Sequence, residues 1–153
     1  MPALRIRALQ VTCAALLACG GGVAAAQGIE YRSTAAAAVL YDSPSVQGQR
    51  QFILAADTPV EVVVVLERWV KVREPAGAIA WIEAGRLAAR RTVIVTAERA
   101  TAFQNADAGS AVAFHATRDV VLELTQPAAG GWVGVRHRDG ASGFLRVTEV
   151  WGL

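Results

Sequence analysis

The chain has 153 residues, of which 54% are hydrophobic and 18% are charged, and its formal net charge is +2. This apolar fraction excludes an intrinsically disordered chain, and the length fits one ordinary domain or two small ones. Two cysteines cannot form a disulfide-dense scaffold, and two histidines without a Cys-x-x-Cys pair offer little for a metal site. We therefore expect a globular protein with no metal and no cofactor.

The first 26 residues have the three parts of a secretory signal peptide. Arg5 and Arg7 make the start positive, residues 8–19 are mostly apolar, and residues 24–26 are alanines that suit a small-residue cleavage site. A membrane anchor needs about 20 continuous apolar residues, and the glycines at 20–22 interrupt this run. We predict cleavage after residue 26, no membrane span, and a periplasmic or secreted protein.

A second processing route stays open. Residues 16–20, Leu-Leu-Ala-Cys-Gly, resemble a lipoprotein box, in which Cys19 would be acylated and become the first residue of an anchored protein. Leu17 fits that pattern poorly, so the soluble form is favoured over the lipoprotein.

The charge balance argues against a nucleic-acid partner. If Arg5 and Arg7 leave with the signal peptide, 13 basic residues remain against 13 acidic ones. A nucleic-acid-binding protein would be expected to carry a basic excess, and none is left.

An internal repeat covers the rest of the chain. At a shift of 62 residues, Thr34, Ala35, Ala38, Phe52, Asp57 and Glu61 match Thr96, Ala97, Ala100, Phe114, Asp119 and Glu123. At a shift of 63, Trp69-Val70-Lys71-Val72-Arg73 matches Trp132-Val133-Gly134-Val135-Arg136. Chance does not readily place two Trp-Val-x-Val-Arg blocks so regularly. We predict two domains, at residues 29–88 and 92–153, joined by an exposed connector at Arg90-Arg91.

The residue pattern of each copy predicts a set of short β-strands. The β-branched run 59–66 and its counterpart 120–125 predict a central strand, and the alternating residues after each tryptophan predict a half-buried one. Proline and glycine at 74–77, and glycine at 138–140, predict tight turns. The alanine run 35–38 is short and leads into Val-Leu-Tyr, so we predict it to be extended. About 60 residues is near the lower limit for an unaided core, which favours compact all-β units that are packed together or closely linked.

The repeated pattern resembles a known family. A Trp-x-Val-Arg strand, a glycine turn, an aromatic–aliphatic strand and a terminal Leu87 or Val150 resemble the second half of a bacterial SH3 domain, and residues 39–45 are similar to the segment that opens such domains. Copy two departs from the pattern, with Gln-Asn-Ala-Asp at 104–107 and with Phe144 in place of tryptophan. The resemblance implies two tandem small SH3-like β-barrels, usually non-catalytic, often exported and associated with the cell wall.

Aromatic residues are the main candidates for a ligand groove. Tryptophan combines a large apolar face with one N–H donor, as a groove wall requires. The candidates are Tyr41, Trp69, Phe103 and Trp132. For Trp69 and Trp132, packing in the core or at the barrel rim is the favoured interpretation and a groove wall is the alternative. For Tyr41 and Phe103, rim and groove are equally open. We expect Trp81 and Phe144 to lie in the cores, and Trp151 to cover the open end of the second barrel.

Two arginines complete the candidate set. Arg73 with Glu61, and Arg136 with Glu123, recur at matched positions on strands expected to be adjacent. A cross-strand ion pair is the favoured interpretation; recognition of a ligand carboxylate by Arg73 and Arg136 is the alternative.

These observations predict a non-catalytic exported binding protein. Its ligand would be a peptide, a protein partner or peptidoglycan-type cell-wall material, bound through aromatic surface. The alternative is a structural envelope-assembly protein whose aromatic residues are buried between the two barrels. His115 and His137 have no counterparts in copy one, and we interpret them as ordinary strand or surface residues.

Overall fold

The structure, a computed structural model, describes residues 28–153. The predicted signal peptide and Cys19 lie outside the described residues. Within the described part of the chain, no helix has the length and apolarity needed to cross a bilayer.

The described residues form fourteen strands and two short 3₁₀ helices. The first repeat contains β1 (Glu30–Thr34), β2 (Ala38–Tyr41), β3 (Arg50–Leu54), β4 (Pro59–Val65), β5 (Trp69–Arg73), β6 (Ile79–Glu83), a 3₁₀ helix (Ala84–Arg86) and β7 (Leu87–Ala88). The second repeat contains β8 (Thr92–Val95), β9 (Arg99–Phe103), β10 (Val112–Thr117), β11 (Val121–Ala129), β12 (Trp132–Arg136), β13 (Ser142–Arg146), a 3₁₀ helix (Val147–Glu149) and β14 (Val150–Trp151).

The two repeats have the same topology. Each is a seven-stranded sheet, with strand order β3-β2-β6-β5-β4-β1-β7 in the first and β10-β9-β13-β12-β11-β8-β14 in the second. Each strand of one repeat therefore has its counterpart at the same place in the other. The predicted all-β class and the duplication are confirmed.

Each repeat encloses its own hydrophobic core. Side chains alternate along the strands, so that Val70 and Val72 of β5 are fully buried while Lys71 between them faces outward. The first core contains Ala38, Leu40, Val60, Val70, Val72, Ala80 and Ile82. The second is larger and contains Val93, Val95, Ala100, Ala102, Ala116, Leu122, Val133, Val135, Leu145 and Val150.

At the first strand of each repeat, β1 and β8, the residues that are structurally equivalent differ from those matched by the sequence repeat. The Thr34 amide donates to the carbonyl of Thr58, and the Val95 amide donates to the carbonyl of Val120. Thr34 is therefore equivalent to Val95, a shift of 61, and its predicted match with Thr96 is wrong. The second repeat has one extra residue before β9, which restores the shift of 62 at Ala38.

The predicted turns are formed by glycines in left-handed conformations. Gly77 has φ 99° and Gly140 has φ 97°, which L-residues with side chains rarely adopt. A carboxylate completes each turn, because Glu74 accepts the amides of residues 76 and 78 and Asp139 accepts the amide of residue 141. The run 35–38 is not wholly extended: residues 35 and 36 form a bend and β2 begins at residue 38.

The two repeats are docked against each other, and we call this contact the seam. Ser33 Oγ and Thr92 Oγ1 are 2.7 Å apart, and both residues are buried. The Thr92 hydroxyl also lies 2.6 Å from the Asp57 carbonyl, and the Arg90 guanidinium pairs with the Asp57 carboxylate. These polar contacts link β1 and the turn before β4 to the start of β8.

The C-terminal strand completes the seam. Trp151 packs edge-on against Tyr31 of the first repeat, with ring centroids 5.1 Å apart, so the prediction that it covers its own barrel is wrong. Arg91 is also not simply exposed, because it donates to the Gly152 carbonyl at 2.8 Å and its guanidinium lies 5.6 Å from the Tyr31 ring. Burial, followed by the Glu61 carboxylate, raises the pKa of the Tyr31 phenol above its usual value.

Candidate ligand-binding site

The loop between β2 and β3 forms one wall of a cleft on the first repeat. The Asp42 carboxylate accepts hydrogen bonds from the Ser43 hydroxyl and the Gln49 amide, each at 2.9 Å. Gly48 is needed for this closure, because a Cβ there would lie 2.5 Å from Ser43 Oγ and 2.8 Å from Asp42 Oδ1. The closed loop holds residues 44–46 at one side of the cleft.

The cleft has a volume of about 580 Å³ and is built entirely from the first repeat. Its walls come from this loop, the start of β5, and the end of β6 with the following 3₁₀ helix. The lining residues are Pro44, Ser45, Val46, Arg68, Trp69, Glu83, Gly85 and Arg86. A concave site of this size at the meeting point of several loops is a common form of ligand site.

Trp69 supplies the aromatic surface of the cleft. It opens β5, where alternation buries Val70 and leaves Trp69 half-buried on the outer face. Tyr41 packs edge-on against it, with ring centroids 5.5 Å apart and planes at 89°. This arrangement holds the indole in place and leaves part of it in contact with solvent.

The charged groups in the cleft are unequal in number. Glu83 pairs with Arg86 at 3.4 Å, whereas Arg68 makes no ion pair with any residue of the described chain. Two guanidinium groups against one carboxylate leave the cleft net positive. Arg68 is the group free to bind a ligand carboxylate.

The equivalent surface of the second repeat is closed. Phe103 and Trp132 repeat the edge-on pair, with centroids 5.7 Å apart and planes at 88°. The guanidinium of Arg146 lies 3.9 Å from the centre of the Trp132 ring, and Trp132 is only 7% exposed. Arg146 is opposite Trp132 in the strand register, as Glu83 is opposite Trp69. A cation from the chain itself therefore occupies the indole surface.

The predicted cross-strand ion pairs are confirmed. Arg73 faces Glu61 in the register with an N–O distance of 2.9 Å, and Arg136 faces Glu123 at 3.9 Å. Neither arginine lines the cleft beside Trp69. The structure thus brings together Tyr41 with Trp69, and the equivalent pair in the second repeat, but not the arginines with them.

Trp81 and Phe144 were expected in the cores, and this is wrong. Both are half-buried on the outer faces of β6 and β13, where Trp81 lies opposite Tyr41 and Phe144 opposite Phe103. Lys71 Nζ is 5.6 Å from the Trp81 ring centre. The physical reason is the alternation of side chains, since the residues on either side of each aromatic face inward.

The structural alternative placed the candidate aromatics between the two barrels, and this is also wrong. The two edge-on pairs are each formed within one repeat. The aromatic contact of the seam is made instead by Tyr31 and Trp151, neither of which was a candidate site residue.

The histidines occupy surface positions. His115 is exposed, with its Nδ1 3.2 Å from the Thr101 hydroxyl. The ring of His137 is 2.9 Å from the Asp139 carboxylate, and the pKa of that carboxyl is lowered first by the backbone amide of Ala141 and then by His137. Among residues 28–153, no group of three or more His, Cys, Asp or Glu side chains could hold a metal ion.

The sequence analysis missed four residues at these sites: Arg68, Glu83 and Arg86 in the first repeat, and Arg146 in the second. The strand register could have found two of them. Once β5 pairs with β6 and β12 with β13, the residues opposite the two tryptophans are Glu83 and Arg146. Their opposite charges already indicate that the two copies differ.

Comparison with solved structures finds distant similarity. NlpC2 and NlpC1 from Trichomonas vaginalis each match with 13% identity and a TM-score of 0.37, covering 83% and 81% of this chain and 49% and 46% of theirs. An NlpC/P60 family protein from Bacillus cereus ATCC 10987 matches with 15% identity and a TM-score of 0.37, covering 80% of this chain and 56% of that one. The chain thus spans about half the length of these structures.

Sequence comparison defines the family. Among curated proteins, none shows significant similarity to the chain. The model of the bacterial SH3 domain matches it twice, at residues 34–88 and 96–152. These matches cover most of the described residues and coincide with the two seven-stranded repeats. The chain therefore belongs to the bacterial SH3 domain family, as a tandem pair of such domains.

Proposed function

We propose that this protein is a non-catalytic, exported binding module, in which the cleft of the first repeat recognises a peptide, a protein partner or peptidoglycan-type material. One observation carries the proposal. The indole of Trp69 is accessible in a cleft of about 580 Å³, whereas the equivalent indole is covered by Arg146. The first repeat is the ligand-binding one.

The proposed recognition uses three kinds of contact. An apolar or planar part of the ligand stacks on Trp69, which Tyr41 supports from the side. A ligand carboxylate binds the unpaired Arg68 guanidinium. The loop residues 44–46 close over the ligand from the opposite wall. A ligand role for Arg73, Arg136, Phe103 and Trp132 stays a prediction, which this mechanism does not require.

The proposed location is the cell envelope. The signal peptide predicted at residues 1–26 directs the chain across the inner membrane, and membership of the bacterial SH3 family is consistent with an exported or wall-associated protein. Acylation of Cys19 is the alternative form, and it would tether the same cleft to the membrane surface.

The test is binding to purified peptidoglycan sacculi by co-sedimentation, with a parallel pull-down from envelope extract. The Trp69→Ala variant is expected to lose about 10-fold or more of the binding, because a central aromatic anchor carries much of such an interface. Trp81→Ala is the matched control, since it removes another half-buried indole, one that does not line the cleft. Equal binding by Trp69→Ala and the parent protein, or release of soluble fragments from the sacculi, would contradict the proposal.

A further inference from the structure

The end of β4 carries a run of exposed aliphatic side chains. Val63, Val64, Val65 and Leu66 are 41%, 42%, 56% and 43% exposed. Alternation along a strand normally turns every second side chain toward the core, so this end of the β4–β5 hairpin extends past the core and is open on both faces. Contiguous apolar surface of this kind is rare on a soluble protein, and it commonly marks an interaction site.

The same residues form a free edge of the sheet. β1 pairs with β4 only as far as Val62, which lies opposite Glu30, whereas β4 continues to Val65. On the other side, this end of β4 is paired with β5. One side of residues 63–66 therefore has no partner strand within the described chain, and we call it the valine edge. An unpaired edge is a template for a further strand, because its backbone N–H and C=O groups have no partner.

The second repeat blocks the equivalent edge. The residues in the places of 63–66 are Thr125, Gln126, Pro127 and Ala128, and a proline cannot donate a hydrogen bond to a neighbouring strand. The pairing of β11 with β12 is also shifted in register twice, whereas that of β4 with β5 is shifted once, at Val63. The valine edge contains no proline and no charged side chain, so it lacks the usual protection of an exposed edge.

A second copy of the valine edge is the partner that fits it. In antiparallel pairing about a two-fold axis, Val65 lies opposite the same residue of the other copy, and Val64 lies opposite Leu66. Every side chain brought together in this way is aliphatic, so no charge is buried. The flanking charges also permit the contact, since Glu67 and Arg68 follow the edge at one end and the ion pair of Glu30 with Arg32 lies at the other. Each end carries one acidic and one basic side chain, and in the antiparallel arrangement the two kinds of end meet.

We propose that the protein forms a symmetric dimer through the valine edges of two copies. A two-fold contact uses each edge once, so association stops at two copies and does not continue into a fibre. The paired segment is shorter than an ordinary strand, so the dimer is weak and depends on concentration. β5, which carries Trp69, lies on the other side of β4, and the dimer therefore leaves both Trp69 clefts open.

The test is sedimentation equilibrium of the purified protein between about 10 µM and about 1 mM, with variants at Val65. Val65→Lys and Val65→Glu should each raise the dissociation constant at least about 10-fold, because like charges then face each other across the axis and the burial of two valines is lost. An equimolar mixture of the two variants should associate again, since opposite charges then meet. Val65 is 56% exposed in the single copy, so neither variant should unfold the repeat, which circular dichroism checks.

Ile53→Lys is the matched control, because Ile53 is an aliphatic residue, 76% exposed, on the outermost strand of the same sheet. It should keep the dissociation constant of the parent protein within about two-fold. Trp69→Ala should do the same, which separates this association from binding at the cleft.

Three results would overturn the proposal. The first is a parent protein that stays monomeric over the whole concentration range, including one that instead binds phosphatidylglycerol vesicles and loses that binding in Val65→Glu, which would assign the edge to a membrane surface. The second is a mixture of the two Val65 variants that stays monomeric. The third is a loss of association in Ile53→Lys or Trp69→Ala as large as that in Val65→Lys, which would place the contact elsewhere.

Discussion

The two tryptophan sites of this protein have the same backbone and opposite accessibility. In the first repeat Trp69 lines an open cleft and has Glu83 opposite it in the strand register. In the second repeat Trp132 has Arg146 opposite it, and the guanidinium stacks on the indole at 3.9 Å. The position opposite the tryptophan thus carries a negative charge where the indole is accessible and a positive charge where it is covered.

The two repeats also differ in the 3₁₀ helix that follows β6 or β13. Glu83 pairs with Arg86 in the first repeat, while in the second the Glu149 carboxylate accepts the backbone amide of Arg146 at 3.2 Å. The carboxylate at position 149 thus bonds the backbone, and the guanidinium is left free to lie over the ring. A duplicated fold can keep its framework and still have one aromatic surface open and the equivalent one covered, through side chains alone.

The outer faces of the two sheets also differ in polarity. Val63 and Val64 are about 40% exposed in the first repeat, and the second has Thr125 and Gln126 in their places. A Cβ on Gly134 would lie 2.8 Å from the Gln126 Cβ, so Gln126 covers the position that Lys71 occupies in the first repeat. The first repeat therefore presents valines on this outer surface, where the second presents the polar side chains of Thr125 and Gln126.

The largest effect is expected from core substitutions, which test whether each repeat has an independent core. Ile82 and Leu145 are equivalent and fully buried, so Ile82→Ala and Leu145→Ala should each lower the free energy of unfolding by about 2–5 kcal/mol. Urea denaturation followed by circular dichroism measures both values. A loss below about 1 kcal/mol in either variant would show that its repeat does not depend on a core of its own.

The second prediction exchanges the two sites. Arg146→Glu should uncover Trp132 and increase acrylamide quenching of its fluorescence, and Glu83→Arg should cover Trp69 and weaken ligand binding about 10-fold. The expected stability cost of the first change is about 0.5–2 kcal/mol, the usual value of a cation–π contact. Glu98→Arg, at an exposed position of the second repeat, is the control for the charge change. Unchanged quenching in Arg146→Glu would show that Arg146 is not what covers the ring.

The third prediction compares the two cross-strand ion pairs. The Glu61 side chain is 16% exposed and that of Glu123 is 40% exposed, so Arg73→Leu leaves the more buried carboxylate unpaired. We expect a loss of about 1 kcal/mol for Arg73→Leu and a few tenths for Arg136→Leu, from urea denaturation. If Arg136→Leu instead abolished ligand binding at unchanged stability, its role would be recognition.

The smallest effect concerns the seam at high pH. The folded-state pKa of Tyr31 lies above its usual value of about 10, so its contribution to stability is complete below pH ~10. That contribution is lost as the pH rises through the folded-state pKa, because the unfolded chain ionises first. Thermal unfolding should show this alkaline loss in the parent protein and a smaller loss in Tyr31→Phe. An identical alkaline profile in both proteins would contradict it.

Patterns of local sequence predicted much of the fold. The Trp-Val-x-Val-Arg blocks and the glycine turns located the paired strands β5–β6 and β12–β13, because strand alternation and left-handed turn residues are local properties. The same alternation, applied to residues 80–82, would have placed Trp81 outside the core. The cross-strand pairing of Glu61 with Arg73 followed from the expected adjacency of their strands.

Other features required the register and the packing of distant segments. Whether Trp69 or Trp132 is open depends on the residue opposite it on the next strand, and the sequence does not show which residue that is until the register is known. Trp151 was expected to cover its own barrel, whereas it packs on Tyr31 of the other repeat, a contact between positions at opposite ends of the described chain.

The sequence by itself determined the duplication, the all-β class, and the hairpins β5–β6 and β12–β13 with their glycine turns, since these follow from residue spacing and backbone preference. The tertiary structure decided which tryptophan is accessible and which residues dock the two repeats. The physical reason is that burial and charge pairing depend on neighbours in space, and in a sheet of this topology those neighbours come from segments far apart in the chain.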